Sequence, residues 1–142
     1  CAAWYQDELT RPRPPGEWIG IVNLRDGETV TSPFNLRLAA EGFGILTRID
    51  MHTKIKEKTG KDIIPTVILG ACNPNLAYEA YTANSDVSSL LPCNAVAREI
   101  APGRVSLEFI KPTAMLQILG DAGLVELAKA ADEKVGRALA NA

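Results

Sequence analysis

The C-terminal half of the chain contains a β-hairpin signature, which constrains the fold more than any other pattern in the sequence. Residues 94–100 and 105–110 are two β-rich runs joined by Pro102-Gly103, a turn-forming pair. In the second run, Val105, Leu107 and Phe109 alternate with polar residues. This alternation predicts an antiparallel strand with one buried face.

Helices and further strands alternate along the rest of the chain. Strand-like runs cover residues 18–22, 44–49 and 65–69, and helical patterns cover 34–41, 51–59, 74–83, 113–119 and a longer segment after Asp121. Asn73 before Pro74 and Asp50 before Met51 are suitable helix N-caps. The order predicts an α+β fold, a mostly antiparallel sheet with helices packed on it in a single compact domain. We expect residues 1–17, which contain a proline-rich stretch, to be a disordered tail ahead of a domain spanning 18–142.

Composition excludes some classes of function. The net charge of −2 argues against a nucleic-acid partner. No apolar run approaches the ~20 residues of a membrane span. Three cysteines are too few for a disulfide scaffold, so a reduced, cytoplasmic setting is expected. Cys1 leaves open the alternative of a lipid-anchored protein, although no signal segment precedes it.

Several motifs resemble one known family. They are Gly42-Phe-Gly-Ile-Leu-Thr-Arg-Ile-Asp50, Ile55-Lys-Glu-Lys58, Ile68-Leu-Gly-Ala-Cys-Asn-Pro74, Leu76-Ala-Tyr78 and Leu90-Leu-Pro-Cys-Asn94. Over residues 38–140 the chain is similar to the family called domain of unknown function 302. The resemblance implies a small α+β domain related to TATA-binding-protein-like folds, usually a homodimer. It implies no established reaction, substrate or cofactor. The chain departs from the family upstream, where Pro33 interrupts a long helix expected to run into Gly42.

Two cysteine–asparagine pairs are the candidate site. Cys72-Asn73 ends one strand and Cys93-Asn94 begins the next, so antiparallel pairing would bring both thiols to one edge of the sheet. Cys72 would also lie beside a helix N-terminus, which favours a thiolate with a lowered pKa. Alternatively, each cysteine is a small buried side chain without a function, and Asn73 is only a cap. His52, the sole histidine, is expected at the surface, or else acts as a base or a third ligand.

Three functions follow from this pattern. The leading hypothesis is a homodimeric module that binds a small ligand or a soft metal ion near Cys72, Asn73, Cys93 and Asn94, with the two thiols as metal ligands. The second is a thiol-dependent redox protein in which Cys72 attacks and Cys93 resolves. The third is a structural interaction module whose cysteines only pack. No recognisable catalytic motif is present, so the sequence favours a non-enzyme and leaves cofactors unknown.

Overall fold

The computed structural model describes residues 17–23, 29 and 31–140, and within these ranges it leaves some side chains undescribed. The predicted tail therefore lies outside the described residues, except Glu17, with which the first strand begins. The strands are β1 (Glu17–Asn23), β2 (Gly44–Asp50), β3 (Thr66–Cys72), β4 (Cys93–Ala101) and β5 (Arg104–Ile110). The α-helices are α1 (Ser32–Ala40), α2 (Met51–Thr59), α3 (Pro74–Ala83), α4 (Pro112–Leu116) and α5 (Ala122–Ala140). Two 3₁₀ turns, Ser85–Leu90 and Gln117–Leu119, complete the described elements.

The five strands form one antiparallel sheet in the order β1-β5-β4-β3-β2. The predicted hairpin is confirmed as β4 and β5, and Gly103 takes a φ of +73° at its tip, a conformation that glycine adopts without strain. The α+β class predicted from the order of elements is therefore confirmed.

One face of the sheet carries the core. Alternate residues along β3, β4 and β5 are almost fully buried on this face, and the register places them in rows across the sheet: Leu69, Ala95 and Phe109 in one row, and Val67, Ala97 and Leu107 in the next. Helix α5 packs against α1, α3 and α4 and contributes buried Leu124, Ala128, Val135 and Leu139. The helices and this sheet face thus enclose a single hydrophobic core.

Most helix boundaries follow the predicted signals. Gly60 ends α2 in the left-handed conformation, and Asp121 Oδ1 accepts hydrogen bonds from the amides of Gly123 and Leu124 at the start of α5. Pro33 lies in the first turn of α1, so this helix is short and is not broken internally. The expected Asp50 cap is wrong, because the Asp50 carboxylate accepts hydrogen bonds from Arg48 and makes none to the α2 backbone.

Candidate functional site

The candidate site is a pocket between the helix-covered face of the sheet and helices α3, α4 and α5. Its volume is about 50 Å³, and its sheet side is formed by Ala71 and Cys93. Helical side chains complete the wall, among them Leu76, Ala77, Met115, Leu127 and Ala131. Apart from Cys72, Cys93 and Asn73, every lining residue has a side chain of hydrocarbon or thioether. The pocket is therefore suited to an apolar ligand with few polar contacts.

Strand register brings the backbones of the two cysteines together at the end of the sheet beside this pocket, with Cys93 on the core face. Cys93 lies directly opposite Ala71, and Cys72 is the next residue along β3. Paired α-carbons in an antiparallel sheet are about 4.5–5.5 Å apart, so the backbones of the two cysteines are close neighbours. Cys93 is 9% exposed and Cys72 is half-buried, and both are free thiols.

The pKa of each thiol is raised, whereas a redox pair requires a lowered pKa at the attacking cysteine. Burial and, to a smaller extent, the neighbouring charge of Cys72 raise the pKa of Cys93 to about 11. Burial also raises the pKa of Cys72. The helix N-terminus was expected to lower the Cys72 pKa, so that expectation is wrong. At this terminus Asn73 Oδ1 accepts a hydrogen bond from Leu76 N at 3.3 Å.

Asn73 is the predicted N-cap of α3 and also connects α3 to the turn after α1. Its Nδ2 donates to the Glu41 carbonyl at 3.5 Å. The neighbouring Gly42 has a φ of +83°, and a β-carbon added there would lie 3.2 Å from Asn73 Nδ2. The Asn73 amide thus has a hydrogen-bond partner at each of its two polar atoms and positions the helix at the pocket rim.

Asn94 does not line the pocket. It is exposed and pairs with Gly70, whereas its neighbours Cys93 and Ala95 are buried on the core face. Successive residues of a strand point to opposite faces, so a buried Cys93 sends Asn94 to the other side of the sheet. Only three of the four predicted residues therefore meet.

His52 lies apart from this site. It is half-buried on α2, and its Nδ1 accepts a hydrogen bond from Thr66 N at 3.0 Å, at the start of β3. The expectation of a surface histidine is therefore wrong. Because Nδ1 accepts the hydrogen bond of the first amide of β3, this ring nitrogen has a structural role.

Two features of the site were absent from the sequence-based prediction. Met115, 8% exposed on α4, adds a thioether to the pocket wall, and Phe43 packs edge-on against Phe109 with ring centroids 6.2 Å apart. Helical periodicity marks residue 115 as inward-facing, but nothing local shows which strands it faces. Within the described ranges, no three histidine, cysteine, aspartate or glutamate residues come together in a way that could hold a metal ion.

No helix in the described part of the chain is long and apolar enough to span a membrane.

Comparison with known proteins agrees with the fold and names no activity. The comparison with curated proteins gave no match. The crystal structure of an uncharacterized conserved protein DUF302 from Bacillus stearothermophilus is similar, with a TM-score of 0.79 and 28% sequence identity. The match covers 89% of this chain and 98% of that one. The family described as domain of unknown function DUF302 matches residues 23–142. The chain therefore belongs to the DUF302 family.

Proposed function

We propose that this protein is a homodimeric binding domain that holds a small apolar ligand in the pocket beside Cys72, Asn73 and Cys93. The observation that carries the proposal is the composition of the wall, in which thiols and one amide are the only polar side chains among hydrocarbon and thioether groups. Binding by shape and apolar contact suits such a wall. A thiol redox function is less well supported, because the pKa of each thiol is raised.

Benzene and xenon are suitable probes because both enter apolar cavities. We expect each to shift the methyl NMR signals of Leu76, Leu127 and Ala131 in a saturable way. Filling the pocket with Ala131→Phe should abolish the shifts. The control is Ala130→Phe, which adds the same ring at the adjacent exposed position of α5 and should leave binding intact. Absence of saturable shifts in the unmodified protein, or their persistence in Ala131→Phe, would contradict the proposal.

The dimer is supported by exposed apolar side chains on the edge strand β2. Leu46 is 65% exposed, Ile49 44% and Ile45 37%. Ile49 also begins a row across the open face of the sheet that continues through half-buried Ile68 and Val96. Apolar surface of this kind favours association with a second copy.

Light scattering tests the dimer directly. We expect the mass to be twice the 15.3 kDa of the chain and Ile49→Asp to halve it. Ile118→Asp changes an isoleucine that is 72% exposed elsewhere and should leave the mass unchanged. A 15.3 kDa species at all concentrations would rule out the dimer.

The proposal places the protein in the cytoplasm, where two unpaired thiols remain reduced. Fractionation of native cells with an antibody to the chain would test this, and recovery in the membrane pellet would favour a lipid anchor.

A further inference from the structure

Strand β2 lies at an edge of the sheet, and its outer edge is open. Residues 44–49 are all exposed, and Asp50 is half-buried. Within the described sheet β2 pairs with β3 alone, so its other edge presents backbone amides and carbonyls to which a further strand can bind. Helix α2 leaves this edge accessible, because His52 in its first turn is hydrogen-bonded to Thr66 of β3 and the helix therefore turns inward.

The two faces of β2 carry different chemistry. Ile49 lies opposite Ile68 of β3 on the open face of the sheet and is 44% exposed. Its neighbours Arg48 and Asp50 point to the other face, where Arg48 Nη2 donates to Asp50 Oδ1 at 3.0 Å and Nε donates to the same oxygen at 3.2 Å. Both side chains of this ion pair stay about half exposed. Asp50 Oδ2 accepts no hydrogen bond from the described residues, so it is available to a second guanidinium.

A second copy of β2 is the partner that these side chains fit. When two β2 strands pair antiparallel about a two-fold axis perpendicular to the sheet, like faces meet and one residue lies opposite itself on the axis. With Ile49 on the axis, the two isoleucines meet and Arg48 of each copy lies opposite Asp50 of the other.

The two neighbouring registers are less favourable. With Arg48 on the axis, two guanidinium groups would oppose each other. With Thr47 on the axis, Arg48 would lie opposite Leu46, where the register of β2 shifts. Opposite charges directly across a strand pair stabilise it and like charges destabilise it, so charge complementarity selects the register with Ile49 on the axis.

We propose that this protein dimerises edge to edge, by antiparallel pairing of two β2 strands with Ile49 on the two-fold axis. The proposal rests on the dimer of the proposed function and specifies its interface. The pairing joins two five-stranded sheets into one continuous sheet and covers the open edge of each. The two Arg48–Asp50 pairs become one cluster, in which the guanidinium of each copy meets the carboxylate of the other.

Charge reversal tests this register. Arg48→Glu places two acidic side chains opposite each other in both symmetric pairs, and Asp50→Lys places two basic ones there. Each variant should weaken dimerisation by at least ~10-fold, because two attractive pairs become repulsive. An equimolar mixture of the two variants should restore the dimer, since an acidic strand then faces a basic one. Sedimentation equilibrium over a concentration series gives the dissociation constants.

Lys129→Glu is the matched control. It makes the same charge reversal on α5, where Lys129 is paired with Glu126, and should leave the dissociation constant unchanged. Recovery of the dimer on mixing would also show that both β2 variants are folded. Unchanged dimerisation of Arg48→Glu and Asp50→Lys would overturn the edge pairing.

Disulfide cross-linking locates the axis independently of charge. In a background from which all three native cysteines have been removed, Ile49→Cys should form a covalent dimer in oxidised glutathione. Opposed α-carbons about 4.5–5.5 Å apart are within disulfide reach. Thr47→Cys lies on the same face but should not cross-link, because its two copies would be roughly 14 Å apart at about 3.4 Å per residue. Cross-linking of Thr47→Cys alone, or of neither variant, would overturn the register.

The mass of the unmodified protein separates this proposal from the previous one. If the protein is monomeric at all concentrations, the dimer and its interface both fail, and the apolar pocket is unaffected. If it is dimeric while the charge variants and Ile49→Cys give the contrary results, only the edge pairing fails, and the dimer forms through another surface.

Discussion

Asp132 of α5 accepts two hydrogen bonds from Thr113 of α4, one from the backbone amide at 3.0 Å and one from Oγ1 at 2.6 Å. Helix α4 has only five residues, and its first amides lack partners within the helix. A carboxylate from another helix therefore performs the capping function and aligns Pro112, Met115 and Leu116 with the pocket.

Removing that carboxylate should destabilise the protein and loosen the pocket. We expect Asp132→Ala to lower the free energy of unfolding by about 1.5–3 kcal/mol, since hydrogen bonds to charged groups are lost. Urea titration gives the free energy, and benzene affinity should fall in parallel. Glu133→Gln, at the neighbouring exposed position, should change neither. Full stability in Asp132→Ala would show that α4 is positioned by packing alone.

Gly70 is required by close packing on the face of the sheet opposite the core. A β-carbon there would overlap Thr47 Oγ1 and lie 2.8 Å from Pro92 Cγ. Gly70→Ala should therefore cost about 1–3 kcal/mol of unfolding free energy, the usual range for overpacking. Gly44→Ala is the control, because its β-carbon would meet nothing nearer than the Cys72 carbonyl at 4.0 Å. Differential scanning calorimetry of both variants distinguishes them.

Cys93 should react slowly with alkylating reagents. Only the thiolate is nucleophilic, and a pKa of about 11 leaves roughly one molecule in a thousand ionised at pH 8. In a Cys1→Ser/Cys72→Ser background, the iodoacetamide rate should rise about tenfold per pH unit between pH 7 and pH 10. A rate that levels off near pH 8.5 would show an ordinary exposed thiol.

Glu41 should contribute to the pH dependence of stability. Arg137 donates hydrogen bonds to both Glu41 oxygens at 3.1–3.2 Å, and these lower the pKa of the carboxyl. A carboxyl with a lowered folded-state pKa stabilises the protein above its unfolded pKa of about 4.3, and this contribution disappears as the pH falls through the folded value. Glu41→Gln should therefore be less stable than the parent at pH 7 and equally stable near pH 2. Urea midpoints at both values test this, and Glu79→Gln on the surface of α3 should match the parent throughout.

Local signals predicted those parts of the fold whose causes lie within a few residues. The Asn73-Pro74 pair predicted both the cap and the start of α3. The alternation around Leu107 predicted the core face of β5, but the prediction of a single buried face is wrong, because Ser106 and Glu108 on the other face are buried as well. The 3₁₀ turn at Ser85–Leu90 was missed because its sequence lacks a helical period.

The site was predicted only in part because its wall is assembled from distant elements. The backbones of Cys72 and Cys93 come together through strand pairing, which the sequence suggested, but Met115 joins the pocket wall through the packing of α4 on α5. The direction of Asn94 could have been inferred, since a strand that buries Cys93 must turn its next side chain away. The raised pKa of Cys72 follows from its burial, which becomes visible only in three dimensions.

The order of strands in the sheet also determines when β1 can join it during synthesis. Among the described strands β1 comes first in the chain, yet within the described sheet it pairs with β5, which comes last. While the chain leaves the ribosome, β1 must wait without a partner until the β4–β5 hairpin has emerged. The hairpin is local and can form quickly, so completion of the sheet depends on the late return of the N-terminal segment to a hairpin already in place.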